Sequence, residues 1–264
     1  VQTCALPILL WLAGDEDALD VFRSGKDIYL YTAEGIYKRP LTKADTTERQ
    51  MGKQAVLGLG FQMGASKFVD TVAKYGIIID EPFAKMVVDA YREKYWRTKQ
   101  LWYDQEAAAI KAVQTGREIE AGKVSWFVQG SFLYCELPSG RRLAYPFPKV
   151  SMQETSWGSQ KLTLQFMTVN PKTRQWVPQK TYGGMLVENI TQAVARDLMA
   201  AALLRLEQHP VYSPVLSVHD EAIAEAPVGT GSVKEFEHLV SALPDWAEGL
   251  PVAAEAWSGL RYRK

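Results

Sequence analysis

Ser217-Val218-His219-Asp220-Glu221-Ala222-Ile223 sets two adjacent carboxylates between two short apolar runs. Taking a carboxylate out of water is costly unless a cation or hydrogen bonds compensate it. Acids at the tip of an apolar hairpin therefore point to a bound cation. A hard ion such as magnesium accepts one or two carboxylates together with substrate phosphates. On the tripeptide alone, Asp220 as a plain turn former stays open.

A second group repeats every four residues: Arg49, Lys53, Leu57 and Phe61. On a helix a step of four drifts by about 40°, so these side chains form one slowly winding stripe. Its two cations lie toward the N-terminal end, where the helix dipole also favours anions. Its aromatic lies at the far end, where a base can stack. Gly52, Gly58 and Gly60 each cost roughly 1 kcal/mol inside a helix, which implies a close approach to this backbone. A solvated Arg–Lys face followed by a glycine loop is the alternative. A third row, Asn189, Gln192 and Arg196, is spaced three and four apart beside an apolar stripe of Ile190, Val194, Leu198 and Ala201. Asn and Gln both donate and accept, and such a row can follow the minor-groove acceptors common to all base pairs. A polar face in water explains it equally well.

Three stretches must position these groups. Residues 9–122 read as mostly helical, with short helices over 17–24 and 27–37. Asp45, Thr46 and Thr47 offer N-caps for a helix running through Phe61. Residues 83–115 carry unbroken helical periodicity through Met86, Val87, Ala90, Tyr91 and Tyr95. From 123 to 182 the period becomes two. One hairpin turns at Leu137-Pro138-Ser139-Gly140 and another at Asn170-Pro171-Lys172-Thr173. A helix over 187–208 stops before Pro210, and a third hairpin turns at His219-Asp220-Glu221, its apolar strands implying a buried sheet. A helix over 233–243 and an extended tail complete an α+β chain, helices first and an antiparallel sheet later.

The 264 residues, 47% of them hydrophobic, suffice for a substantial core. Formal net charge is zero, a mild argument against a nucleic-acid partner, although a basic groove can coexist with acidic surface. Cys4 and Cys135 support neither a disulfide framework nor a zinc site, which suits a reducing cytoplasm. No run of eighteen apolar residues predicts a membrane span. Three histidines, His209, His219 and His238, argue against a histidine-rich hydrolytic site. The chain starts at Val1 without a signal-peptide pattern and reads as cut from something longer.

In order and spacing these segments resemble the family A DNA polymerases of the DNA polymerase I type, in their phage branch. Residues 49–61, Arg-Gln-Met-Gly-Lys-Gln-Ala-Val-Leu-Gly-Leu-Gly-Phe, resemble the fingers motif, and Val218-His219-Asp220-Glu221 resembles the palm motif. Glu188-Asn189-Ile190-Thr191-Gln192-Ala193 resembles the palm helix at the primer–template minor groove. Tyr182-Gly183-Gly184, the hairpin with Trp176, and Leu137-Pro138-Ser139-Gly140-Arg141-Arg142-Leu143 complete a likeness over 9–264.

The resemblance implies a right-hand fold with fingers over 9–122, a palm over 123–264 and no thumb. It implies nucleotide contacts at Arg49, Lys53, Leu57 and Phe61, with Lys53 also neutralising the leaving pyrophosphate. It implies DNA contacts at Asn189, Gln192, Arg196, His219, Arg141 and Arg142, and metal ligation by Asp220 and Glu221. The implied reaction joins a deoxynucleoside triphosphate to a primer 3′-hydroxyl with two Mg2+ ions. Primer–template DNA and dNTP are the expected partners of a monomer.

Departures qualify this. The family's Asp-x-Ser-x-Ile-Glu-x-Arg stretch should precede Trp11, but Ala5 and Pro7 stand at its Glu and Arg positions and its aspartate would fall before Val1. Residues 1–8 read as foreign sequence joined near Leu9, and Asp15 and Asp17 are too far along to substitute. Leu57 replaces a common Phe or Tyr, Phe61 a common Tyr, and Gln62 a common Gly. The expectation is a chain without measurable polymerase activity of its own. The rival readings are a silent primer–template- or nucleotide-binding module and a hydrolytic metal site at His219, Asp220 and Glu221.

Overall fold

The computed structural model describes residues 5–154 and 158–262. Seven helices come first: α1 (Ala5–Ala13), α2 (Glu16–Arg23), α3 (Ile28–Tyr37), α4 (Thr46–Leu59), α5 (Ala65–Ala73), α6 (Glu81–Lys94) and α7 (Trp96–Thr115). Aspartates start three of them. Asp15, Asp27 and Asp80 accept from the backbone N–H groups of Ala18, of Tyr29 and Leu30, and of Phe83. Asp45 stands before α4 but caps nothing. Its carboxylate turns back to the Thr42 N–H and hydroxyl and to Arg39.

The periodicity over 83–115 resolves into two helices broken at Tyr95 (φ −102°, ψ 48°). Tyr95 is buried, its hydroxyl 2.7 Å from that of Thr32 and its ring 4.7 Å from that of Tyr91. Seating that side chain bends the chain while the apolar register continues into α7.

The strands form three separate antiparallel sheets, not the single sheet expected. The first is β1 (Ile119–Ala121), β2 (Val124–Gln129), β3 (Phe132–Glu136) and β4 (Arg142–Pro146). The second is β5 (Lys149–Glu154), β6 (Gln160–Val169) and β7 (Trp176–Lys180), and the third is the hairpin of β8 (Ser213–Val218) and β9 (Glu221–Glu225). Between the last two runs α8 (Gly183–Glu207), and after them α9 (Val233–Ser241). The expectation of a buried sheet at the third hairpin is overturned. Val215 and Leu216 are about half exposed, because only one helical layer lies beside a two-stranded ribbon.

α8 is the axis of the molecule and packs on α1, α7, α9 and the third hairpin. It begins four residues earlier than its apolar stripe suggests, and the reason is its paired glycines. A Cβ at Gly183 would lie 2.0 Å from the Trp102 carbonyl oxygen, and one at Gly184 would lie 2.3 Å from that of Phe61. Only glycines let the first turn sit on α7 and on the end of α4.

Residues 5–8, read from sequence as foreign, do not stand apart. Leu6 and Ile8 are buried in α1, and α1 packs on α8. The tail returns to the same place, the Trp11 indole donating to the Glu248 carbonyl at 3.0 Å. Cys135 is a buried free thiol whose pKa burial pushes up, and Cys4 lies outside the described residues. Among the described residues no helix is long and apolar enough to cross a membrane.

Candidate functional site

α4 carries the cationic stripe, and α3 supplies what the cations touch. The Arg49 Nε donates to Asp27 Oδ2 at 2.6 Å, and the Arg49 guanidinium lies 5.2 Å from the Tyr29 ring centroid. Lys53 Nζ lies 5.8 Å from the same ring. Both cations therefore flank one aromatic, and Asp27 holds Arg49 by its Nε. Leu57 is exposed further along, and Phe61 follows the helix end, partly buried.

Two of the three glycines, Gly52 in α4 and Gly60 at its C-cap, make room for other parts of the protein. A Cβ at Gly52 would lie 2.1 Å from the Tyr29 carbonyl oxygen, and one at Gly60 would meet Leu9 at 2.8 Å. The close approach inferred from sequence is that of α3 and α1. Gly58 has no contact nearer than 3.7 Å.

Burial alone would raise the Asp27 carboxyl pKa. The Arg49 guanidinium and the Leu30 and Tyr29 N–H groups outweigh it and hold the pKa below the usual carboxylate range. A depressed folded value means that this stabilisation is complete above the unfolded value of about 3.9. It is lost as pH falls through the folded value. Asp27→Asn keeps a good N-cap and removes the charge, so its expected cost is under about 1 kcal/mol at pH 7. Asp27→Ala loses the cap too and is expected to cost about 1 kcal/mol more. Urea titrations at pH 7 and at about pH 2.5 check both: the gap between wild type and Asp27→Asn should shrink at the lower pH.

The acidic tip faces a different helix. Val218 pairs with Glu221, leaving His219 and Asp220 as the turn, with His219 in the left-handed region (φ 53°). A cleft of about 400 Å³ opens between this tip and α8. Gln192, Arg196 and Met199 of α8 line it with His219 and Asp220; Val240 of α9, the tail at Val252 and Ala5 of α1 complete the wall. Asp220 is half-buried, and Glu221 accepts from the Tyr262 hydroxyl at 2.9 Å.

Of the twelve residues singled out from sequence, the cleft gathers Gln192, Arg196, His219 and Asp220, with Glu221 beside it. Arg49, Lys53, Leu57 and Phe61 lie outside its wall, along α4. Three of the expected DNA contacts are engaged within the protein. Arg141 donates from Nε to Asp197 at 2.5 Å and from Nη2 to the Ala193 carbonyl at 2.8 Å, latching the β3–β4 turn onto α8. Arg142 pairs with Glu136 at 2.7 Å over the Phe127 ring. Asn189 donates to the Tyr145 hydroxyl at 3.2 Å, a phenol whose pKa burial pushes up.

The two halves meet where α4 ends. The Gly184 N–H donates to Gln62 Oε1 at 2.8 Å, with Gln62 itself at φ 67°. From that joint Gln192 lies eight residues along α8, and Lys53 eight residues back from Phe61, each about 12 Å at 1.5 Å per helical residue.

Sequence reasoning missed Asp27, Tyr29 and Tyr262. Asp27 was visible as the first residue of a helix, but its pairing with Arg49 spans 22 positions and has no local signal.

The residues present can donate to one hard cation shared with substrate phosphates, through Asp220 and Glu221. Among the described residues no group of three or more His, Cys, Asp or Glu gathers to hold a metal. Among the described residues a second ion has no such donor set.

The chain is 36% identical over 261 residues to a DNA polymerase of Bacillus phage SP02, covering 97% of this chain and 39% of that protein. It is 23% identical to thermostable DNA polymerases I of Thermus filiformis and Thermus caldophilus, over 97% of this chain and 25% of each. It thus spans about two fifths of the phage relative and a quarter of the Thermus relatives. Among solved structures it resembles the POL domain of Pol1 from M. smegmatis, in complex with DNA primer-template and dNTP. The TM-score is 0.59 at 18% identity, over 96% of this chain and 37% of that one. No family model matches.

Proposed function

We propose that this chain, a relative of the DNA polymerase I-like, family A DNA polymerases, forms the fingers and palm of a template-directed polymerase. Residues 9–122 are the fingers and 123–264 the palm. The observation that carries this reading is the cleft. It sets Asp220 and His219 opposite Gln192 and Arg196, while Arg49 and Lys53 flank Tyr29 on α4.

In this reading Arg49 and Lys53 bind the triphosphate. No hydrogen bond occupies the terminal amino groups of Arg49 among the described residues, and they remain available to phosphate oxygens. Lys53 neutralises charge on the departing pyrophosphate. Phe61 stacks near the templating base. Gln192 and Arg196 hold the primer–template, and His219 sits at the primer end. Asp220, with Glu221, would hold one Mg2+. A second ion belongs to the full two-metal chemistry, and the described residues do not supply its donors. Bound magnesium would lower the pKa of the attacking hydroxyl and neutralise phosphate charge.

For the 264 residues by themselves we propose binding without efficient turnover. The support is the donor set: among the described residues the cleft wall carries Asp220 and no other carboxylate, with the apolar Ala5 among its lining. Primer–template affinity and primer extension with magnesium and dNTP test the two parts. Submicromolar duplex binding with no extension is the expected pair of results. Robust extension overturns the second part, and absence of duplex binding overturns the first.

A further inference from the structure

We propose that the solvent face of the β5–β6–β7 sheet carries unpaired template strand, an inference that rests on the polymerase reading above and extends it. The register fixes which side chains share that face. Lys149 pairs with Gln165, and Gln165 with Lys180, so the three make one row across the sheet. Met167 pairs with Pro178 and Val169 with Trp176 farther along the same side. The alternate residues Val150, Leu164 and Phe166 turn the other way and pack against the core.

The charge of this element is lopsided. Between Lys149 and Lys180 there are five cations, Lys149, Lys161, Lys172, Arg174 and Lys180, against the single acid Glu154, in a chain whose formal net charge is zero. Lys161 is neutralised by Glu106 at 2.7 Å. The other four have no carboxylate partner among the described residues, and Lys180 donates only to Gln153 Oε1 at 2.9 Å. Lys149 and Lys180 stand two strands apart, about 10 Å. Like charges left in line suit a polyanion laid across the row.

Two further observations select an unpaired strand over duplex. Trp176 is 51% exposed at the far end of this face, an indole open to a base. Stacking on it requires a base free of its partner. The face also begins in the right place. β7 leads through Tyr182 directly into Gly183 and Gly184, and Gly184 sits on Phe61 and Gln62 at the end of α4. A strand leaving the templating base at Phe61 meets this sheet first.

Fluorescence anisotropy with the full chain tests the proposal. The probes are a blunt duplex, the same duplex with a ten-nucleotide 5′ overhang on the template, and phosphatidylserine vesicles as a polyanion of another kind. The variants are Lys149→Ala/Lys180→Ala and Trp176→Ala. The overhang is expected to strengthen wild-type binding. Each variant should remove that gain, by roughly tenfold, within the range for one stacked base, while blunt-duplex affinity moves less than about twofold. The log–log salt slope for the overhang probe should fall by about 1.4 in the double lysine variant, at roughly 0.7 per single-strand phosphate contact.

Equal losses on blunt and overhang probes, no loss on either, or vesicle binding that exceeds overhang binding overturns the proposal. Failure of the polymerase reading looks different. In that case wild-type chain does not bind the blunt duplex, or binds it indifferently to Gln192→Ala and Arg196→Ala.

Discussion

Trp102→Ala is expected to lower stability by about 3–5 kcal/mol, the range for deleting a fully buried large aromatic. Trp102 is 1% exposed, and its Nε1 donates to the Gly60 carbonyl at 2.8 Å. Its own carbonyl lies where a Cβ of Gly183 would be. One residue of α7 thus fixes the end of α4 from one side and the start of α8 from the other. Truncation leaves a cavity at that joint and an unpaired carbonyl at the α4 terminus. Trp102→Phe keeps most of the buried surface and loses the hydrogen bond, for an expected cost of about 1–3 kcal/mol. Urea unfolding read by far-UV circular dichroism gives both numbers. A loss below about 1 kcal/mol for alanine would show that the joint does not bear on stability. Since whole domains are stable by only about 5–15 kcal/mol, nucleotide binding should weaken in parallel as α4 loses its anchor.

That joint also shows what the sequence could and could not reveal. The four-residue spacing on α4 and the polar row on α8 are periodic signals, and each lies on a helix, although α4 ends two residues before Phe61 and α8 starts four residues early. The turns at Leu137-Pro138-Ser139-Gly140 and Asn170-Pro171-Lys172-Thr173 are local chemistry, and both hairpins close there. What failed was everything that depends on a distant partner. Gly52 implied a close approach to the backbone without saying of what, and the neighbour is Tyr29. The pairing of Arg141 with Asp197, 56 residues away, has no local signal either. The break at Tyr95 has no Gly or Pro to announce it, because its cause is the pocket formed by Thr32 and Tyr91. The apolar strands of the third hairpin suggested burial, but strand pattern does not say how many neighbours a sheet has.

The same long-range pairing decides the second large effect. Lys53→Ala is expected to weaken triphosphate binding roughly ten- to hundredfold, the equivalent of one charge-assisted contact worth about 1.5–3 kcal/mol. Duplex affinity should stay within about threefold. Arg49→Ala should do more than Lys53→Ala, because it also unmasks the Asp27 carboxylate. That carboxylate is held at 2.6 Å by the Arg49 Nε and would then face the triphosphate as an unpaired like charge. The double variant Arg49→Ala/Asp27→Asn removes the repulsion with the attraction, and should therefore recover part of the affinity lost in Arg49→Ala. Gln192→Ala should behave in the opposite sense, losing duplex affinity and sparing nucleotide affinity, since its helix face opens to the cleft and not to α4. Equilibrium titration of a fluorescent nucleotide with primer–template and magnesium, paired with duplex titrations, separates these outcomes. Equal losses of both ligands in Lys53→Ala would mean that the stripe acts on folding rather than on phosphate. A double variant no better than Arg49→Ala would mean that Asp27 faces away from the bound triphosphate.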